Sequence, residues 1–391
     1  MLAGARLVNA GCGVVVAVAS ARHLGPVGRG DIVFIVTVAM IATEVVSLGT
    51  NVSGRIRILQ GAGDRIEDYL GLTVCLAFLQ AAGVGAVLAF VGAPVLGLGV
   101  AEVVVGVVLS VAMFLSHMLF DAAFALRRTL EVGLRDLLIG VIPLLAVVPL
   151  VAMGSLDVVA VLAATAVGYF VGAGYLWRVV STGSVRFDRS RWLVLVRSGL
   201  PVMLGALGQS LAFRADRLVL GIISASAVLG VYSVASTAAE VPRLLLLPIA
   251  QLLTNRVASG ELPRGGVTPL VGRIMAGYVF VLFMMSAVGP SLVTAAAGGG
   301  FSGVGGLMPI LVLGEAMLGV HFLCVAVLAG LGKLDALPIP AGVGAVLVVI
   351  GSIVAVPRFG PEGASWVRAG GFGAMAVTAV MILAAELAAD R

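Results

Sequence analysis

The chain has 391 residues, of which 61% are hydrophobic and only 11% charged, with a mean hydropathy of +1.18. A composition this apolar excludes a water-soluble domain. The net charge of +5 does not mark a nucleic-acid partner either, because all but one of the 24 basic residues are arginines scattered through short loops, whereas a nucleic-acid groove needs one clustered basic face.

Apolar runs of about 20 residues, the length a helix needs to cross roughly 30 Å of hydrocarbon, recur along the whole sequence. Taken in order they fall near 4–22, 30–50, 69–93, 99–121, 132–153, 156–178, 198–221, 228–254, 267–290, 307–330, 335–356 and 362–388. The first, from Arg6 to Ala19-Ser20-Ala21, reads as a spanning helix rather than a cleaved leader, and Asn9 does not fit a lipoprotein site three residues before Cys12. Cys12, Cys75 and Cys324 each sit inside an apolar run and read as packing residues, with no disulfide, metal or cofactor implied.

Orientation follows from the arginines. With the N-terminus inside, the inner loops and adjoining helix ends hold Arg55, Arg57, Arg65, Arg127, Arg128, Arg135, Arg178, Arg186, Arg189, Arg191, Arg197, Arg256, Arg264, Arg273 and Lys333, against only Arg22, Arg29 and Arg358 outside. That bias predicts twelve spans in the cytoplasmic membrane with both termini cytoplasmic. Shifting the chain on itself by 200 residues lays Leu7 on Leu207, Gly30 on Gly230 and Thr37 on Thr237, so helices one and two fall on helices seven and eight. Six helices per half give parallel repeats: an N-terminal lobe over 1–178, a cytoplasmic linker over 179–192, and a C-terminal lobe over 193–391.

Some charges lie inside predicted spans. Arg214, Arg217, Arg243 and Arg368 do, with Glu44, Asp216, Glu240, Glu315, His117 and His321. A mid-bilayer charge costs about 2.5–3.5 kcal/mol even on lenient scales, so such residues face a protein interior or a wet cavity. Helices seven and eight carry three arginines against two carboxylates, and a surplus of buried cation calls for an external anion; the planar arginine fork suits phosphate. Ion pairs such as Asp216 with Arg243 are the alternative. Arg214, Arg217, Arg243, Asp216 and Glu240 are therefore the candidate substrate-binding residues, and Glu44, Glu315 and His321 the candidates for coupling or gating. His117, near the inner end of helix four, reads as a satisfied packing or interface residue, and Arg368, a few residues into helix twelve, as snorkelling to the outer surface. Pro201, Pro242 and Pro248 are candidate bends in helices seven and eight. No nucleophile elbow, phosphate-binding glycine loop or spaced histidine cluster is present, which leaves transport rather than catalysis.

Three segments resemble the oligosaccharide (Wzx-type) flippases, relatives of the multidrug and toxin extruders. They are Arg22-His-Leu-Gly-Pro-Val-Gly-Arg-Gly-Asp31, then Leu195-Val-Arg-Ser-Gly-Leu-Pro201 continuing through Arg214-Ala-Asp-Arg-Leu-Val-Leu-Gly221 and Leu229-Gly-Val-Tyr-Ser-Val-Ala235, and last the turns Leu328-Ala-Gly-Leu-Gly-Lys333 and Val356-Pro-Arg-Phe-Gly-Pro-Glu-Gly-Ala364. The resemblance implies an all-α integral membrane protein of two six-helix lobes, with the MATE-like architecture of the MOP superfamily. It implies movement of a polyprenyl-diphosphate-linked glycan through a basic cavity while the lipid tail stays in the bilayer, with H+ or Na+ as a coupling ion. Helix one carries no charge between Arg6 and Arg22, a departure that counts against a cation-coupled drug antiporter. That antiporter, a lipid II flippase and a non-transporting scaffold stand as the alternatives.

Overall fold

An apolar run without water to bond its backbone has one local solution, the helix, and every element among the described residues is helical. The computed structural model describes residues 2–60, 65–262 and 264–389. The chain ends themselves, Met1 and residues 390–391, whose cytoplasmic placement the arginine count predicts, lie outside them. The first half runs α1 (Leu2–Val46), α2 (Thr50–Leu59), α3 (Ile66–Val87), a π turn at Leu88–Gly92, α4 (Ala93–Leu96), α5 (Val100–Ala125), α6 (Thr129–Ala152) and α7 (Val158–Val180). The second runs α8 (Arg189–Ile223), α9 (Ser226–Glu240), α10 (Arg243–Ala258), α11 (Arg264–Ala297), α12 (Val304–Gly330) and α13 (Pro338–Ala389).

Eight of these stretches, with α3 and α4 counted together, are long and apolar enough to cross a bilayer, and the bent pairs α1 with α2 and α9 with α10 raise the number to ten. Two of the ten are double. α1 has 45 residues and α13 has 52, about 68 Å and 78 Å at the helical rise, or twice the hydrocarbon thickness. Each is cut by one glycine, Gly25 (φ 67°, ψ −172°) or Gly360 (φ 55°, ψ −136°), and restarted by the next residue, Pro26 or Pro361. A side chain at either glycine would clash with its own backbone at that φ, and proline is pre-set for a first helical turn. Twelve passes result, the number expected. The loops anticipated at 23–29 and 357–361 shrink to a single glycine each.

The α1–α2 break holds Leu48 (φ 51°) and Gly49 (φ 66°) and bends the pair by 47°. The α9–α10 break bends by 42° at Val241-Pro242. Of the three prolines expected to bend helices, only Pro242 stands at a break; Pro201 and Pro248 are carried inside continuous helices.

By contacts the chain forms two compact units, residues 1–207 with 225–227, and 208–224 with 228–391. In the first, α1 packs on α6, and α5 and α6 on α7. Its core gathers Tyr69, Leu70, Phe114, Met118 and Leu176, and the buried Tyr69 hydroxyl donates to the Met118 carbonyl at 2.9 Å. In the second, α10, α11 and α13 pack on α12, around Ala212, Leu318, Phe372 and Met375. The outward side chains are apolar too: Phe90 is 82% and Phe78 74% exposed. Such a surface is a lipid-facing one, since between lipid and protein it is close packing rather than water exclusion that holds helices together.

Candidate functional site

The intramembrane charges of the second unit converge. α8 supplies Asp216 and Arg217, α9 supplies Tyr232, Ser236 and Glu240, α10 opens with Arg243, α12 supplies Glu315, and the part of α13 beyond Gly360 supplies Arg368. Arg243 grips Glu315 with two prongs, Nε donating to Oε2 at 2.9 Å and Nη2 to Oε1 at 2.5 Å. Arg217 donates through Nη2 to Glu240 Oε1 and to the Ser236 hydroxyl, the latter at 2.9 Å. Arg368 lies between them: Nη2 donates to Glu240 Oε1 at 2.6 Å and to Glu315 Oε1 at 3.0 Å, and Nη1 stands 3.5 Å from Asp216 Oδ2. Asp216 accepts from the Tyr232 hydroxyl and, at 2.8 Å, from the Arg217 backbone N–H. Two aromatic rings complete the wall, with the Arg243 guanidinium over Phe213 and that of Arg368 over Phe372.

Burial is uneven within this cluster. Asp216 and Glu315 are fully buried and Arg368 is 1% exposed, whereas the Glu240 side chain keeps 28% of its surface open. Glu240 is also where three guanidiniums meet, because Arg243 Nη2 lies 3.9 Å from the Oε1 that Arg217 and Arg368 already engage. One carboxylate oxygen surrounded by three arginines is an anion site filled from within the protein.

These contacts correct several expectations. The arginines of helices seven and eight do not wait for an external anion alone, for Glu315 and Arg368 join from later helices and set Arg217, Arg243 and Arg368 against Asp216, Glu240 and Glu315. The partner of Arg243 is Glu315, not Asp216. Arg368 does not snorkel outward; it is the hub. Arg214 donates to Ser210, one turn back, at 3.2 Å. Of the coupling candidates, Glu315 belongs to the cluster. His321 is buried beside Phe322 and, among the described residues, has no carboxylate within ion-pair distance. Glu44 is half-buried near the end of α1 and likewise has no ion-pair partner among them.

The first unit holds a second polar cluster, in which sequence reasoning named His117 and Arg55 but not Asn51 or Asp121. Asn51 Nδ2 lies 3.0 Å from His117 Nε2 and donates to Asp121 Oδ2 at 2.9 Å, while Arg55 Nη1 donates to Asp121 Oδ1 at 2.9 Å. His117 is satisfied by Asn51, as part of this network. Asp121 is the last residue of its predicted span and Asn51 lies one beyond its own; the spacing of His117 and Asp121, four apart on one helix face, was the available signal.

A helical bundle of about twelve passes with its charges gathered inside has the fold of a multi-pass membrane transporter. The polysaccharide biosynthesis protein family matches residues 1–253, and the chain belongs to that family. Among curated proteins none matches it. Solved structures similar in fold include the lipid II flippase MurJ in an inward closed conformation, with a TM-score of 0.77 at 10% identity over 98% of this chain and 87% of that one. An inward-facing multidrug resistance MATE family transporter of the MOP superfamily gives 0.69 at 15% identity, covering 99% and 98%. The eukaryotic MATE transporter AtDTX14 gives 0.63 at 18%, covering 98% and 94%. At these identities the likeness is one of fold.

Proposed function

We propose that the protein is a flippase that carries a polyprenyl-diphosphate-linked oligosaccharide, a polysaccharide repeat unit, across the cytoplasmic membrane by alternating access. Family membership supports the pathway, and the convergence of three arginines on the half-open carboxylate of Glu240 carries the chemistry. A diphosphate entering beside Glu240 competes for the same guanidiniums, Arg217 and Arg243 first, because planar forks bind two phosphate oxygens at once. The cluster is neutral without substrate, so an arriving anion leaves it one or two charges short of balance. Uptake of H+ or Na+ at Glu240 offsets one of those charges and couples transport to an ion. Arg214, three residues before Arg217 on α8, contacts the headgroup too, and Asp216 orients Arg217 through its backbone N–H.

Reconstituted vesicles loaded with a fluorescent lipid-linked oligosaccharide test this. Arg217→Ala alone strands Glu240 and confounds folding with transport, so the informative variant is Arg217→Ala with Glu240→Gln, which keeps the cluster balanced. Its thermal stability should return towards that of the unsubstituted protein while transport stays lost. Arg217→Lys and Arg243→Lys should transport in part, since an ammonium keeps the charge without the fork. Full transport by the balanced double variant would overturn the assignment of the diphosphate to these arginines. A lipid II flippase or a MATE-like cation-coupled antiporter shares the fold; running lipid II and a cationic drug in the same vesicles separates those readings.

A further inference from the structure

A second concentration of arginine lies at the membrane boundary of the first unit, where the chain leaves α7 and enters α8. A groove of about 610 Å³ there is lined by Arg65, Arg186, Arg189 and Arg191 together with Asp68 and Asp188. Its walls are fixed. The Arg186 backbone N–H donates to the Glu67 carbonyl at 3.1 Å, and the Trp192 indole N–H donates to the Asp68 carbonyl at 2.9 Å. The Arg186 carbonyl comes so close to α3 that a Cβ on Gly71 would stand 1.9 Å from it. The segment is therefore seated on the first turns of α3.

Charge and position together specify a ligand. Four guanidiniums face Asp68 and Asp188 in the groove, and the Glu67 carboxylate, which accepts from the Thr182 hydroxyl and is attracted by Arg65 and Arg186, stands beside them, so one positive charge is left over. Asp188 already caps α8, its Oδ1 accepting from the Ser190 hydroxyl at 2.6 Å and the Ser190 backbone N–H at 2.9 Å. Those bonds, the hydroxyl first, hold its carboxyl below the usual range, so the cap stays charged at neutral pH. Phe187, 65% exposed, also lines the groove, and Leu193 just beyond it is exposed as well. A basic groove with apolar side chains at its rim matches a phosphate headgroup whose tail continues into the bilayer. The arginine forks suit phosphate oxygens, and the flippase reading supplies the diphosphate.

We propose that this groove docks the diphosphate headgroup of a membrane lipid, a capture site separate from the charge cluster of the second unit. The proposal rests on the flippase reading for its choice of diphosphate lipid. Binding is measured on the purified full chain in neutral detergent with three probes: a polyprenyl diphosphate, phosphatidylglycerol and inorganic pyrophosphate. The polyprenyl diphosphate should bind at least tenfold more tightly than phosphatidylglycerol, pyrophosphate should compete with it, and Arg186→Gln with Arg189→Gln should weaken it at least tenfold. All four arginines are exposed, so folding is not expected to suffer; Arg65→Gln, on a different element, serves as the second variant and should weaken binding in the same direction. Unchanged binding in both variants overturns the proposal, as does phosphatidylglycerol binding equally well or pyrophosphate binding where the lipid does not. The two readings fail separately. Vesicle transport that persists while the variants bind the lipid normally removes the groove alone. An unsubstituted protein that binds the diphosphate lipid at the groove yet transports no saccharide lipid removes the flippase reading alone.

Discussion

Replacing Arg368 by Gln removes one cation from a cluster of three cations and three anions. Three carboxylates, two of them fully buried, would then share Arg217 and Arg243. Stranding a buried charge by cutting its partner costs about 3–5 kcal/mol, and a second unit of this size loses roughly 2–4 °C of Tm per kcal/mol. The expected drop is thus of order 6–20 °C. The exposed pair Lys333 Nζ to Glu386 Oε2, at 2.6 Å, provides the contrast, since such pairs contribute at most about 1 kcal/mol, so Lys333→Gln should move Tm by no more than a few degrees. The assay is thermal unfolding of the purified protein in detergent. Adding Glu315→Gln to Arg368→Gln returns the cluster to two against two and should recover most of the loss. A double variant no more stable than Arg368→Gln, or a single variant within a degree or two of the starting protein, would refute the charge-balance argument.

Two further outcomes follow from the fold. Gly25→Ala places a side chain at φ 67° and should destabilise by about 1–3 kcal/mol, visible as a lower Tm, whereas Gly174→Ala, where an added Cβ meets nothing within 4 Å, should be neutral or slightly stabilising. A reporter fused after Arg191 should be active only in the cytoplasm; activity outside would reverse the topology inferred from the arginines.

Twelve passes were legible in the sequence because each apolar run must become a helix in lipid. The site was legible only by residue. Arg217, Asp216, Glu240, Arg243 and Glu315 stood out because charge inside a span is costly, but which helices lie side by side decides who pairs with whom, and periodicity along one helix is silent on that. Arg368 shows the limit well. Its few residues of distance from the predicted start of helix twelve suggested a short reach to water, but Gly360 lets the preceding helix turn without a loop, and the arginine sits against α8, α9 and α12 instead. Asp121 was hidden for the opposite reason, as a residue at a span end that is in fact enclosed.

The place of Arg368 in the chain bears on biogenesis. During synthesis α8 to α12 emerge first, carrying Asp216, Glu240 and Glu315 with Arg217 and Arg243 of the cluster, so the cluster lacks its hub cation until the stretch of α13 beyond Gly360 arrives. Insertion of that helix supplies the missing cation and closes the unit in one step. A ribosome-bound intermediate lacking residues beyond 361 should accordingly be cleaved faster in limited proteolysis than one that includes Arg368.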